Sequence, residues 1–259
     1  MSHIQTSPSK KQYKVAVVMP AYNVAAVVKK TIDSLTPNVI DEIFVIDDGS
    51  HDGTAEAARA TGATVITHSQ NQGYGGAQKT GYRAAIASGA DAIVLVHGDN
   101  QYDPSFASEF VRQIIEDKCD IVAGTRMVLG DALKNNMPLW KYLPIRATTF
   151  IQNIMLGTQI TDYHDGYRAY SGSFLRSIPL DRLSNRFDFD FDMMIQGVVY
   201  QAKIGEVPHP TRYSDENSQL PFGKAVACQL TIFKSAFKFL LHRLGIRRDA
   251  FYEIIKKKD

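Results

Sequence analysis

Short β-branched apolar runs alternate with helical stretches along the first half of the chain. This alternation constrains the fold more than any other feature. The runs cover residues 13–18, 42–46, 64–67, 92–96 and 120–123, and helical spacing occupies 24–35, 54–60, 73–88 and 106–116 between them. Strands of this kind separated by helices predict βαβ units, so the expected class is α/β: a mostly parallel, Rossmann-like sheet with helices on both faces. In such sheets ligands bind beyond the carboxyl ends of the strands. What stands at each strand end therefore tests the function.

Four of those ends are Pro20-Ala21-Tyr22-Asn23, Asp47-Asp48-Gly49-Ser50, Asn71-Gln72-Gly73-Tyr74-Gly75-Gly76 and His97-Gly98-Asp99-Asn100-Gln101. Each alone reads as a turn or a helix cap. The alternation puts all four on one edge of the sheet, where together they describe a crevice for a polar, anionic ligand.

These segments resemble the family 2 glycosyltransferases of GT-A fold, in particular the dolichyl/polyprenyl-phosphate sugar synthase branch, over roughly residues 13 to 220. The resemblance continues in Gly124-Thr125-Arg126, in Asp162-Tyr163-His164-Asp165-Gly166-Tyr167-Arg168-Ala169-Tyr170, in Phe189-Asp190-Phe191-Asp192 and in Glu206-Val207-Pro208. It implies an inverting transfer of one sugar from a UDP- or GDP-linked donor to a polyprenyl phosphate. Pro20, Tyr22, Asp47, Asp48, Gly75 and Gly98 are then expected around the nucleotide. Asp99 and Gln101, joined by His97, match the metal-binding segment and imply Mg²⁺ or Mn²⁺, hard cations that take oxygen ligands. The chain departs from the family pattern twice: His97 replaces the first metal-segment aspartate, and Val24 stands where a glutamate usually follows Tyr-Asn.

An acceptor phosphate is already anionic near neutral pH and needs cationic guidance more than a base. Arg126 and Arg168 resemble phosphate-binding arginines of the lipid-phosphate branch. A sugar hydroxyl would instead need a carboxylate base. Asp165, Asp190 and Asp192 are the candidates for that role, with Asp190 favoured for the active site alongside Asp99. Residues 187–192 alternate with period two, which suits a strand, whereas the family segment starts a helix.

From Lys224 onward nine Lys/Arg meet three Asp/Glu, whereas residues 1–223 carry 20 basic and 24 acidic residues. Val226, Leu230, Phe233, Phe237, Leu240, Leu241 and Leu244 form one helical stripe, opposite Lys224, Thr231, Ser235, Lys238 and His242, with Arg243, Arg247, Arg248 and 256–258 following. An amphipathic basic helix over 223–259 is expected, either packed on the domain or lying on an anionic membrane surface. Residues 138–156 form a second apolar, aromatic and basic stretch. Residues 1–12 are polar and are expected to be disordered, so the glycosyltransferase domain should occupy 13–222.

No uninterrupted apolar run of about 18 residues predicts a membrane span, and Cys119 and Cys228 form no disulfide framework. A cytoplasmic protein, peripheral on the inner membrane face, is the expectation. Nucleic-acid binding is excluded as a reading because the ligand edge is acidic. The alternatives are transfer to a sugar or small-molecule hydroxyl, and a non-catalytic nucleotide-binding scaffold.

Overall fold

The computed structural model describes residues 12–127, 131–134, 137–210 and 222–253. The expectations for residues 1–11 and 256–258, and for the side chains of Lys224 and Val226, lie outside the described residues. The strands are β1 Val15–Ala21, β2 Glu42–Asp47, β3 Thr64–Thr67, β4 Ala92–Leu95, β5 Ile121–Thr125, β6 Arg168–Ser171 and β7 Ile204–Pro208. The main helices are α1 Ala25–Asp33, α2 Thr54–Arg59, α3 Tyr74–Ala87, α4 Ala107–Ile115, α5 Asp131–Lys134, α6 Leu139–Leu156, α7 Gly172–Ser177, α8 Phe189–Val199 and α9 Phe222–Arg243.

The strands form one sheet in the order β3-β2-β1-β4-β6-β5-β7. All pairings are parallel except those of β6, which runs antiparallel between β4 and β5. The unbroken apolar runs follow from this position, because a strand covered on both faces has no polar side to alternate with. Val18, Ile46, Ile93 and Leu95 face one core with Ala77, Tyr82 and Ala85 of α3 and Phe189 and Ile195 of α8. Val17, Met19, Val45, Val94 and Val96 face the other, with Val28 and Ile32 of α1 and Phe110 and Ile114 of α4. Each fully buried aliphatic or aromatic side chain contributes about 1.5–3 kcal/mol.

Residues 187–192 follow the family pattern and not their period-two alternation: α8 begins at Phe189, with Asp190 and Asp192 in its first turn, where the helix dipole favours carboxylates. Helix α9 packs on the domain, but the bulky stripe is not the face it buries. Ile232, Ala236 and Phe239 are buried, whereas Leu230, Phe237 and Leu244 are exposed. The helix packs on α6 and α8, leaving Leu230, Phe237 and Leu244 outward.

Candidate active site

At the carboxyl edge of β1, β2 and β4 lies a cleft of about 1260 Å³. One wall of it comes from the strand ends. Gly49, at φ +78°, turns the chain sharply after β2, where a Cβ would press within 3.1 Å of the Asn71 amide nitrogen. That turn presents Asp48 to the cleft. Asn23 and Asn100 also adopt left-handed backbone, which asparagine tolerates better than most residues. Asn100 makes the corner between Asp99 and Gln101, whose backbone N–H donates to Asp99 Oδ1 at 3.0 Å.

Pro20, Tyr22, Asp48, His97, Gly98, Asp99, Gln101, Arg126 and Asp190, all expected from sequence, line this one cleft. Three others do not. Asp47 is buried and caps its own turn, accepting from Ser50 N–H at 3.1 Å. Gly75 is a packing position, since a Cβ there would lie 2.5 Å from the Ser184 carbonyl oxygen and 2.7 Å from Phe189. Arg168 is fully buried on β6, donating to the Tyr163 carbonyl at 2.9 Å and contacting Met194 sulfur at 3.2 Å. Its guanidinium supports the chain behind the cleft.

Arg126 combines the ion-pair and cleft-lining alternatives. Its Nε donates to Asp162 Oδ2 at 2.8 Å and lies 3.2 Å from Asp165 Oδ2, yet the residue still lines the cleft. His209 Nε2 lies 3.0 Å from the same Asp165 Oδ2. Burial disfavours its charge, but His209 and Arg126 outweigh that and hold the carboxyl well below the usual range. Asp165 is thus an ionised anchor for Arg126.

Asp190 sits in a different network. Tyr74 hydroxyl donates to its Oδ2 at 2.7 Å and Gln78 Nε2 to its Oδ1 at 3.1 Å. Burial raises the carboxyl pKa against the opposing pull of Arg168. The Tyr74 hydroxyl also lies 2.9 Å from His97 Nε2. Desolvation lifts the phenol pKa well above its ordinary value, so it keeps its proton. With that proton directed at Asp190 Oδ2, the phenol oxygen accepts from His97, and hydrogen-bond accounting places an imidazole proton on Nε2. Of the ring nitrogens, Nδ1 is the one not engaged by Tyr74. Asp192 points elsewhere, accepting from Ser184 N–H at 3.1 Å, and desolvation pushes its pKa up to about 6.

The far end of the cleft is formed by α6 and α9, through Trp140, Ile145, Leu230 and Phe233 among others. His164 joins these helices: Nε2 meets Thr148 Oγ1 of α6 at 3.0 Å and Nδ1 meets Gln229 Nε2 of α9 at 3.2 Å. Desolvation lowers its pKa to about 4, keeping it neutral. Sequence reasoning missed Tyr74 and His164 as site residues. Both stood inside recognised motifs, but nothing in local spacing links Tyr74 to Asp190, 116 residues away.

A glycosyl transferase family 2 model matches residues 16–178. The chain is 28% identical over 247 residues to a UDP-N-acetylglucosamine–dolichyl-phosphate N-acetylglucosaminyltransferase of Methanococcus voltae, covering 88% of this chain and 96% of the relative. It is 30% identical over 202 residues to an undecaprenyl-phosphate mannosyltransferase of Micrococcus luteus, covering 75% and 82%. Among solved structures, glucosyl-3-phosphoglycerate synthase from Mycobacterium tuberculosis, crystallised with Mn²⁺, UDP and glucosyl-3-phosphoglycerate, superposes with a TM-score of 0.67 at 23% identity. That match covers 92% of this chain and 82% of the synthase. The last likeness speaks for the GT-A fold alone.

Proposed function

The chain belongs to glycosyl transferase family 2, and from that premise we propose that it transfers one sugar from a nucleoside-diphosphate sugar to a polyprenyl phosphate at a membrane surface. One observation carries the reading: a single cleft joins the polar strand ends, including Asp48 and Asp99, to the apolar side chains of α6 and α9. Those helices also expose Leu139, Trp140, Leu143, Phe150 and Ile154 on α6 and Leu230 and Phe237 on α9. Exposed basic residues Arg146, Lys234, Lys238, Arg243, Arg247 and Arg248 accompany them. Apolar and basic groups side by side suit an anionic leaflet, and a polyprenyl chain leaving the cleft would emerge among them. No helix among the described residues is long and apolar enough to cross a membrane.

Asp48 and Tyr22 would hold the nucleoside. Arg126, anchored by Asp162 and Asp165, would steer the acceptor phosphate so that its oxygen faces the anomeric carbon. Among the described residues no group of three or more His, Cys, Asp or Glu could hold a metal by itself. Asp99 and Gln101 are oxygen donors on one turn of the cleft, which fits a hard cation that completes its shell with diphosphate oxygens. Such a cation, Mg²⁺ or Mn²⁺, would offset the charge developing on the departing diphosphate. His97, with Nε2 engaged by Tyr74, could join only through Nδ1.

A hydroxyl acceptor is the second reading. It is favoured by the raised pKa of Asp190, a carboxylate in the cleft with the character of a general base.

The deciding assay measures donor consumption by the purified protein with Mn²⁺ or Mg²⁺, with and without a short polyprenyl phosphate, across UDP-glucose, UDP-galactose, UDP-N-acetylglucosamine and GDP-mannose. Turnover that needs the lipid phosphate and vanishes in Asp99→Ala is the expected result. Donor binding with transfer only to hydroxyl acceptors would replace the first reading with the second. Binding of no donor would sink both.

A further inference from the structure

The acceptor capacity of Asp48 is nearly exhausted within the protein. A carboxylate offers about four lone-pair sites. Oδ1 accepts from Gln72 N–H at 2.8 Å and from His68 Nδ1 at 2.7 Å, and Oδ2 accepts from Gly73 N–H at 3.0 Å. His68 is buried, and its Nε2 meets Thr80 Oγ1 of α3 at 3.0 Å, which holds the ring against the carboxylate. One site is left, on Oδ2, in a residue that lines the cleft. Beside it stands Asn71, also lining the cleft. Its Oδ1 takes Gly73 N–H at 3.0 Å, and its NH₂ group has no hydrogen-bond partner among the described residues.

We infer that this pair selects the base of the donor. Together Asp48 and Asn71 offer one acceptor beside one donor. Uracil presents one ring N–H between two carbonyls and matches them. Guanine presents a ring N–H and an adjacent exocyclic amino group, a double donor that needs both oxygens of a free carboxylate. Here His68 and Gln72 already fill Oδ1, so the guanine amino group is left without a partner. An orphaned buried donor costs enough to weaken binding by about tenfold or more. His68 is thus a specificity-determining positioning residue that acts through Asp48, and the donor is a uridine diphosphate sugar. The inference rests on the proposed nucleotide-sugar reading.

The test is calorimetric binding of UDP, GDP and IDP with Mn²⁺ to the full chain. IDP is a purine nucleotide that lacks only the guanine amino group. UDP is expected to bind at least about tenfold tighter than GDP, with IDP also tighter than GDP. His68→Leu, which frees one lone pair on Oδ1, should shrink the gap between IDP and GDP. His68→Asn, whose amide nitrogen can replace Nδ1, should restore it. GDP binding as tightly as UDP, or IDP no better than GDP in the unmodified chain, overturns the inference while leaving the glycosyltransferase reading intact. Binding of no nucleotide overturns both. The comparison within the unmodified chain stands even if a His68 variant does not fold.

Discussion

Asp162 holds Arg126 from beneath the cleft: Nε meets Oδ2 at 2.8 Å, with the aspartate fully buried and the arginine 7% exposed. The pair does two jobs, keeping a buried charge compensated and holding an arginine that lines the cleft.

Those jobs separate by mutation. Asp162→Asn removes the charge and keeps the shape, so it should lower unfolding free energy by about 1.5–3 kcal/mol, the worth of a hydrogen bond to a charged group, because Asp165 still pairs with the guanidinium. Arg126→Lys keeps the charge and loses the fork. It should raise KM for the acceptor phosphate by about tenfold with donor binding unchanged. Urea titration and steady-state kinetics read the two effects independently, and an unchanged acceptor KM would remove Arg126 from the phosphate site.

Tyr74→Phe deletes the hydroxyl that ties Asp190 to His97 while retaining the ring stacked on Phe187 at 5.2 Å. Two partly buried partners lose a contact, so stability should fall by about 1–3 kcal/mol. Turnover should fall more than donor affinity. A variant with unaltered melting and turnover would show that the hydroxyl bridge holds nothing in place.

Asp192 gives the fold a pH signature. Its folded pKa, about 6, lies above its ordinary value of 3.8 because burial disfavours the charge. The folded state therefore binds the proton more tightly than the unfolded chain. This contribution is fully present below pH 3.8 and is lost as pH rises through 6. Asp192→Asn should accordingly be more stable than the parent above pH 6, by up to about 3 kcal/mol, with the advantage gone near pH 4. Denaturant unfolding at pH 4, 6 and 8 checks the sign. An advantage that grew on acidification would contradict it.

Phe150 and Phe237 are 66% and 55% exposed on the two helices, and neither lines the cleft. Phe150→Glu with Phe237→Glu should cut binding to anionic vesicles by at least about tenfold, leaving UDP affinity as it was. Vesicle co-sedimentation reports it. Retained binding would move the membrane contact elsewhere.

The first five strands and the helices between them were legible because each apolar run stops at residues that cannot extend it, such as Asp47-Asp48-Gly49, whereas β6 and β7 were not read from the sequence. The same stops gathered Pro20, Tyr22, Asp48 and Asp99 on one edge. Side-chain direction was less legible. Arg168 lies in a motif that reaches the cleft at Gly166, but β6 register turns the arginine inward. In α9, apolar residues occur on more than one face, so periodicity chose the bulky stripe, whereas packing on α6 and α8 buried Ile232, Ala236 and Phe239. The hydrogen-bond bridges of Tyr74 and His68 depend on contacts between distant segments, which spacing along the chain does not encode.

The reversed strand β6 also bears on how the molecule assembles. β1 to β4 can pair from one contiguous stretch ending at Leu95, but β4 and β5 share no hydrogen bonds until Arg168–Ser171 slides between them. The edges of both strands therefore stay unpaired while the intervening 40 or so residues wait for closure, and non-local pairing of this kind folds slowly. A chain emerging from the ribosome would complete its first four strands before the rest and expose a raw sheet edge until β6 arrives. That interval is where misassembly, or help from a chaperone, would act.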